Sequence, residues 1–308
     1  MKKTIIHKTI RGNRITNLSG IGRLLIFAAV LRSFAGCVKD DLYNTPHPDQ
    51  GAVQVTTDWT GRSPESAVPQ NYILRIGTEE QTVSGETNTF GSLFLPSSRD
   101  LLVYHQADGI TITGDVATVN TLADGTLEPL PGYLFSAARK LEIVKDDTLR
   151  VTMPMAQHIR KLVLDLRLKP GDEARIASTS ATLTGIASSI RLTDGATTST
   201  GGKSVVPAFR MAADGSGTRL AGQPMLTATL RLAGVMPGEK QLLTLTLTLT
   251  DGYVQSIPAD LTEMLRDFDT GGNLPLTLDA NLELPAGAGV SAAISDWKPV
   301  DNGDVEIH

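Results

Sequence analysis

From position 51 onward, apolar and polar residues alternate along most of this chain. In Leu243-Thr244-Leu245-Thr246-Leu247-Thr248-Leu249-Thr250, leucine holds every odd position and threonine every even one. That is the period-two pattern of a strand with one buried and one outward face. Asp251-Gly252 closes the run with a turn signal. So long an uncharged, β-prone segment would aggregate on a free edge, which predicts a place inside a sheet. Leu162, Leu164, Leu166 and Leu168 repeat the pattern. Shorter runs predict strands over residues 52–59, 72–76, 92–95, 101–105, 110–113, 141–144 and 228–232. Leu274, Leu276, Leu278, Leu282 and Leu284 predict a strand pair or one bent strand. Asp108-Gly109, Asp124-Gly125 and Pro131-Gly132 supply the turns between.

One segment reads as a helix. Pro258 would open it, Leu261, Leu265 and Phe268 fall on one face with Met264 beside them, and Gly271-Gly272 would end it. Residues 194–202 are rich in Gly, Ser and Thr and read as a mobile loop. Short strands, polar turns and a single helix predict an all-β fold of antiparallel β-sandwiches. A length of 308 residues matches two domains. They are placed at 51–148 and 149–308, with the short helix in the second, although no Gly/Pro-rich linker marks the boundary.

Charge separates off the amino terminus. Residues 1–36 hold seven basic residues and no acid, while the remainder carries 21 basic and 33 acidic groups, a balance of −12. Within 1–36 a basic stretch precedes the apolar run 24–31, and Phe34-Ala35-Gly36-Cys37 follows. Eight apolar residues span about 12 Å as a helix, far below the ~20 residues needed to cross a bilayer. Residues 1–36 therefore read as a signal peptide. Cys37, the only cysteine, stands where a bacterial lipoprotein signal places its acylated thiol; Phe34 departs from the usual leucine, and Arg32 is an unusual neighbour. The alternative is ordinary cleavage with an unmodified Cys37. Each buried methylene of an acyl chain contributes about 0.8 kcal/mol, and two or more chains hold stably. Lys39, Asp40 and Asp41 resemble the sorting signal that sends lipoproteins to the outer face of the outer membrane. Residues 37–50, with Pro46 and Pro48, form an extended tether.

The remaining residues carry little chemistry. An acidic balance argues against sequence-independent nucleic-acid binding. One cysteine excludes a disulfide framework and a Cys-based zinc site. Gly201-Gly202-Lys203-Ser204 resembles the end of a phosphate loop, yet residue 197 is Thr where that motif needs Gly. His47, His105, His158 and His308 are scattered without a paired metal motif, and no Gly-x-Ser-x-Gly elbow occurs. No catalytic, cofactor or metal residues are assigned, and the chain reads as non-enzymatic.

The amino-terminal signal, Cys37, Asp40-Asp41-Leu42-Tyr43, His47-Pro48 and a first strand ending in Asp58-Trp59 together resemble the fimbrillin-A-associated anchor proteins, grouped with the minor-fimbrium anchor family. Pro131-Gly132-Tyr133 resembles a recurrent turn of the first domain. Residues 261–268 before Gly271-Gly272-Asn273 and Leu274-Pro275-Leu276-Thr277-Leu278, and the terminal Ile294-Ser295-Asp296-Trp297, resemble its second half. Residues 170–225 carry no part of the likeness. The resemblance implies two transthyretin-like sandwiches in a surface-exposed, lipid-anchored outer-membrane protein at the base of a fimbrium. It implies fimbrial subunits as partners, joined by strand complementation, and a role in limiting fibre length. Val290, Ala292 and Ile294 share one face of a segment that could be exchanged, with Trp297 close behind. The same residues could instead complete the chain's own second domain. A tip or stalk subunit of the same system, and a surface glycan-binding lipoprotein, remain alternatives. A stalk subunit is expected to lose its first strand to cleavage after Arg62.

Overall fold

The computed structural model describes residues 48–212, 223–270, 272–285 and 291–300. In the first half the strands are β1 (Ala52–Asp58), β2 (Asn71–Ile76), β3 (Glu79–Ser84), β4 (Thr87–Thr89), β5 (Ser97–Tyr104), β6 (Ile110–Thr113), β7 (Val116–Val119), β8 (Phe135–Ile143), β9 (Thr148–Pro154) and β10 (Ala156–Gln157). The second half contributes β11 (Arg160–Arg167), β12 (Ile176–Ile186), β13 (Ser189–Arg191), β14 (Lys203–Val205), β15 (Arg210–Met211), β16 (Met225–Leu232), β17 (Leu242–Leu249) and β18 (Val254–Asp260). A one-turn helix α1 (Thr262–Leu265) precedes β19 (Leu276–Glu283) and β20 (Ala293–Pro299).

These strands form two sandwiches, as the alternating pattern predicts. In the first, β4-β1-β9 faces β10-β8-β5-β2-β3. Val53, Val55, Val151 and Met153 meet Leu74, Ile76, Leu101 and Val103 across it. Trp59 packs on this core, edge-on to Tyr72 and Phe135 at 5.9 and 5.5 Å, with Nε1 donating to Thr57 Oγ1 at 2.9 Å. In the second, β15-β16-β11-β19-β20 faces β14-β12-β17-β18. Strand β17 lies inside its sheet, and Leu243, Leu245 and Leu247 are buried. Each sandwich also contains one parallel pair that the hairpin-like sequence did not announce. β1 runs beside β9 over seven residues, and β11 beside β19. Across the second pair Arg167 Nε donates to Asp279 Oδ1 at 2.8 Å and the other nitrogen to Oδ2, so the buried carboxylate is held by a two-pronged charged contact.

The two halves are joined by more than a linker. All four residues of Leu101-Leu102-Val103-Tyr104 in β5 are buried. Leu101 and Val103 enter the first core, Leu102 and Tyr104 the second. A continuous apolar run is the signature of a strand covered on both faces. The hairpin β6–β7 pairs with β13 from the second half in a small third sheet. By sheet membership the chain changes over between β10 and β11, because β9 pairs with β1 and β10 with β8.

Several local expectations give way. Residues 92–95 form no strand: only Phe94 bridges, to Gly51, and it turns inward while Leu93 and Leu95 are exposed. Pro258 does not open the helix but lies within β18, a sheet edge where a missing N–H costs no ladder bond. The helix starts later, with Asp260 Oδ1 accepting from Thr262 N; Leu261, Leu265 and Phe268 are buried as predicted, and Gly271 lies outside the described residues. Residues 194–202 are tied down: Arg191 pairs with Asp194 at 2.8 Å, and Ser199 Oγ accepts from the amides of Ser188 and Ser189. The phosphate-loop-like Gly202 donates its N–H to Glu239 Oε1, and a Cβ there would lie 2.3 Å from Glu239 Oε2. A carboxylate already fills that cradle.

Truncation on the two faces of β17 should separate cleanly. Leu245→Ala is expected to cost about 2–5 kcal/mol of unfolding free energy, and Thr246→Ala under about 1 kcal/mol, read from urea denaturation midpoints. Equal losses would contradict the assignment of faces.

Candidate functional site

A β-protein that joins a neighbour through strands does so at its edges, so the edges of these sheets are the first place to look. Several are blunt. Strands β4, β10, β13, β14 and β15 have three residues or fewer. Strand β3 begins with exposed Glu79 and Glu80, and β18 carries Pro258. At β20 the left-handed Asp296 (φ 59°) inserts one extra residue opposite β19 and bends the edge. Asn281 Nδ2 and Ser295 Oγ both donate to the Asp296 carboxylate.

That bulge also explains the predicted exchange segment. Strict alternation would put Ile294 and Trp297 on opposite faces; the extra residue brings both against the second core, beside buried Ala292. Gln255 clasps the start of this strand, its Nε2 donating to Ala292 O and its Oε1 accepting from Ala292 N at 2.7 Å. Ala292, Ile294 and Trp297 thus complete their own sheet. Val290 lies outside the described residues, as do Cys37, Lys39, Asp40 and Asp41.

One side of the first sandwich is different. Residues 144–147 reverse the chain, and β8 and β9 leave that turn as the neighbouring margins of opposite sheets. At their far ends lies a cavity of about 380 Å³ whose lining includes Ala137, Arg139, Met153, Pro154 and His158. Met155 N donates to Asp58 O and Ala52 N to Asp147 O. Backbone groups alternate sides along a strand, so the odd residues of β9 serve β1 and the even ones point away. Thr148 N is capped by its neighbour's Asp147 Oδ1, and Pro154 has no N–H. Arg150 and Thr152 keep N–H and C=O groups without a protein partner among the described residues. The same parity, set by His158 N donating to Leu134 O, turns the backbone of Ala138, Lys140 and Glu142 toward this seam. Arg139 is exposed at its rim, with no carboxylate in ion-pair range among the described residues.

The end of the seam is closed by a polar clasp that the sequence did not reveal. Ser136 Oγ donates to Leu192 O at 2.5 Å and lies 2.6 Å from His158 Nε2. The serine's one proton is committed to the carbonyl, so His158 presents an Nε2–H to the hydroxyl. This arrangement staples β8 to residues 192–195; it does not leave the serine hydroxyl free to give its proton to the histidine, as a nucleophile would. Burial pushes His158 down to about 4, against a smaller upward pull from the Asp194 carboxylate. Burial likewise lowers His105. His105 is buried and His158 half-buried, where the sequence predicted isolated surface or strand positions. Among the described residues no three His, Cys, Asp or Glu groups gather as a metal site.

Comparison with known proteins decides the family. The model of the fimbrillin-A associated anchor proteins Mfa1 and Mfa2 matches residues 44–303. The chain belongs to this family. No curated protein matches it. Among solved structures it is similar to the fimbrial anchor protein Mfa2 from Porphyromonas gingivalis, at 10% identity and TM-score 0.54, over 81% of this chain and 97% of that one. An adhesin candidate from Bacteroides ovatus gives 9% identity and TM-score 0.55, over 87% and 98%. Another from Bacteroides thetaiotaomicron gives 13% and 0.54, over 77% and 93%. At such identities these likenesses show the fold, the β-sandwich architecture of the anchor family.

The clasp carries a pH signature. A histidine whose folded pKa lies near 4 stays neutral in the folded chain, while the unfolded chain binds a proton below about 6.5. Stability from this group is complete above that point and falls as pH drops toward 4, by about 3 kcal/mol in all. Urea titrations at pH 7 and pH 4.5 should show the loss in the native chain and a shallower one in His158→Gln; identical slopes would contradict a neutral His158 in the folded chain.

Proposed function

We propose that this chain is an outer-membrane lipoprotein that fixes a fimbrium to the cell surface. Residues 1–36 are removed on export, Cys37 carries the acyl chains, and Lys39, Asp40 and Asp41 direct the protein to the outer face. Residues 37–50 are the tether, and the two sandwiches, with the change-over between β10 and β11, form the body. The body holds a fimbrial subunit by strand complementation, and occupying the terminal position limits fibre length.

Beyond family membership, the observation that carries this reading is the way the tether enters the fold. Gly51 N donates to Phe94 O, Phe94 N to Gly51 O, and Asp146 N to Gln50 O. A Cβ on Gly51 would lie 2.2 Å from Val144 O, so the entry point is closed around a glycine. From there β1 runs between β4 and β9, with Val53 and Val55 wholly buried. Tension on an acylated Cys37, at most about 50 Å of extended chain away, is shared by two hydrogen-bonded ladders. A chain held at the membrane by one end suits such an entry.

The same geometry favours an anchor over a stalk subunit. Cleavage after Arg62 would remove the middle strand of a sheet. Arg62 also spends its guanidinium on the carbonyl of Ser66 at 2.6 Å, and Ser63 N is held by Gln157 Oε1 at 2.8 Å. These contacts keep the bond after Arg62 in a folded turn rather than the extended form a protease needs.

Growth with a labelled fatty acid should mark the native chain and leave Cys37→Ala unmarked, with fimbriae shed into the medium by the variant. Equal labelling of both, or a mature amino terminus after Arg62, would overturn the anchor reading.

A further inference from the structure

The strand-complementation reading leaves open which way strands pass between subunits and where. We infer that this chain is the acceptor, and that the outer edge of β9 with the seam beside it receives an extended segment of the fimbrial subunit. This rests on the proposed function and adds the site and the chemistry of its occupant.

Three independent features point there. First, β9 is a seven-residue edge with no bulge, no inward charge and no proline before its last position. The other strands of six or more residues that end a sheet are guarded: β3 by Glu79 and Glu80, β18 by Pro258, β20 by Asp296 and Pro299. Proteins protect exposed edges against unwanted pairing, and one left open is available for wanted pairing. Second, the outward groups of Arg150 and Thr152 are complete donor–acceptor pairs that β1 does not use, so a strand can add without disturbing the parallel ladder. Third, the seam selects its occupant. Its floor holds buried Met153 and Ala137, which suit small apolar side chains at alternate positions, and the Asp194 carboxylate in its lining is already paired with Arg191. At its rim Arg139 has no ion-pair partner among the described residues, and exposed Arg150 follows nearby. The fitting segment is extended, apolar on one face, and carries a carboxylate toward Arg139.

Donation by this chain's own last described strand is disfavoured by the same structure. Strand β20 would have to leave β19, release the Gln255 clasp and expose Ala292, Ile294 and Trp297.

Because Cys37 is the only cysteine and would be acylated, a cysteine introduced at Thr152 is the single free thiol of the mature protein. In native envelopes, Thr152→Cys treated with a thiol-directed photocrosslinker should join the chain to a fimbrial subunit, and Ser256→Cys on β18 should not. A second copy of this chain as the partner, or equal yields at both positions, would overturn the assignment. Thr152→Pro removes an outward N–H that β1 leaves unused, and should lower retained fimbriae about tenfold, with Thr152→Val near native. Arg139→Glu should give a similar loss with an unchanged melting temperature. If Cys37 is acylated and fimbriae are retained normally in Thr152→Pro and Arg139→Glu, the edge is wrong and the anchor reading stands. If Cys37→Ala neither loses its label nor sheds fimbriae, the anchor reading itself fails.

Discussion

The hydrogen-bonding capacity of strand edges governs this molecule. A sheet satisfies its interior strands automatically and leaves its margins to be blunted, bent or shared. Here shortness, glutamates, a proline and a bulge dispose of most margins. The parallel insertion of β1 beside β9, and of β19 beside β11, turns what would be two further margins into interiors. Among the described residues, the long sheet-ending strand left unguarded through Thr152 is β9, which lies beside β8 on one side of the first sandwich, beyond the polar clasp of Ser136 and His158.

The same economy ties the halves together. Strand β5 contributes to two cores from its two faces, and β13 reaches across to the β6–β7 hairpin. Local opening of either half therefore exposes apolar surface of the other. In the proposed role, with a tether entering at Gly51 and a fibre held elsewhere on the body, this would couple the two attachment points through packed side chains rather than through a flexible linker.

Much of this architecture was legible in the residues. Alternating Leu and Thr placed β17 correctly inside a sheet, and Leu101-Leu102-Val103-Tyr104 was visible as an apolar run, although its two-sided burial was not. What escaped notice depended on partners distant in sequence. Strand β12 lies in a stretch of Ser, Thr and Ala with weak contrast between faces; it becomes a strand because β17 pairs along it. Pro258 looked like a helix start because local rules cannot tell a sheet edge from a helix entry. Asp296 hides a bulge, since nothing in Ile294-Ser295-Asp296-Trp297 announces a left-handed residue. Ser136 and His158 meet only because β10 folds back on β8, and the free groups of Arg150 and Thr152 become visible only once the parity of β9 against β1 is known. Chemistry carried by the backbone leaves no motif.

Amide hydrogen exchange, compared between the isolated chain and its complex with the fimbrial subunit, addresses the central claim most directly. The account predicts that the amides of Arg150 and Thr152 gain strong protection in the complex while those of β20 keep the protection they already have. Unchanged exchange at Arg150 and Thr152, together with deprotection along β20, would contradict it and make this chain the donor.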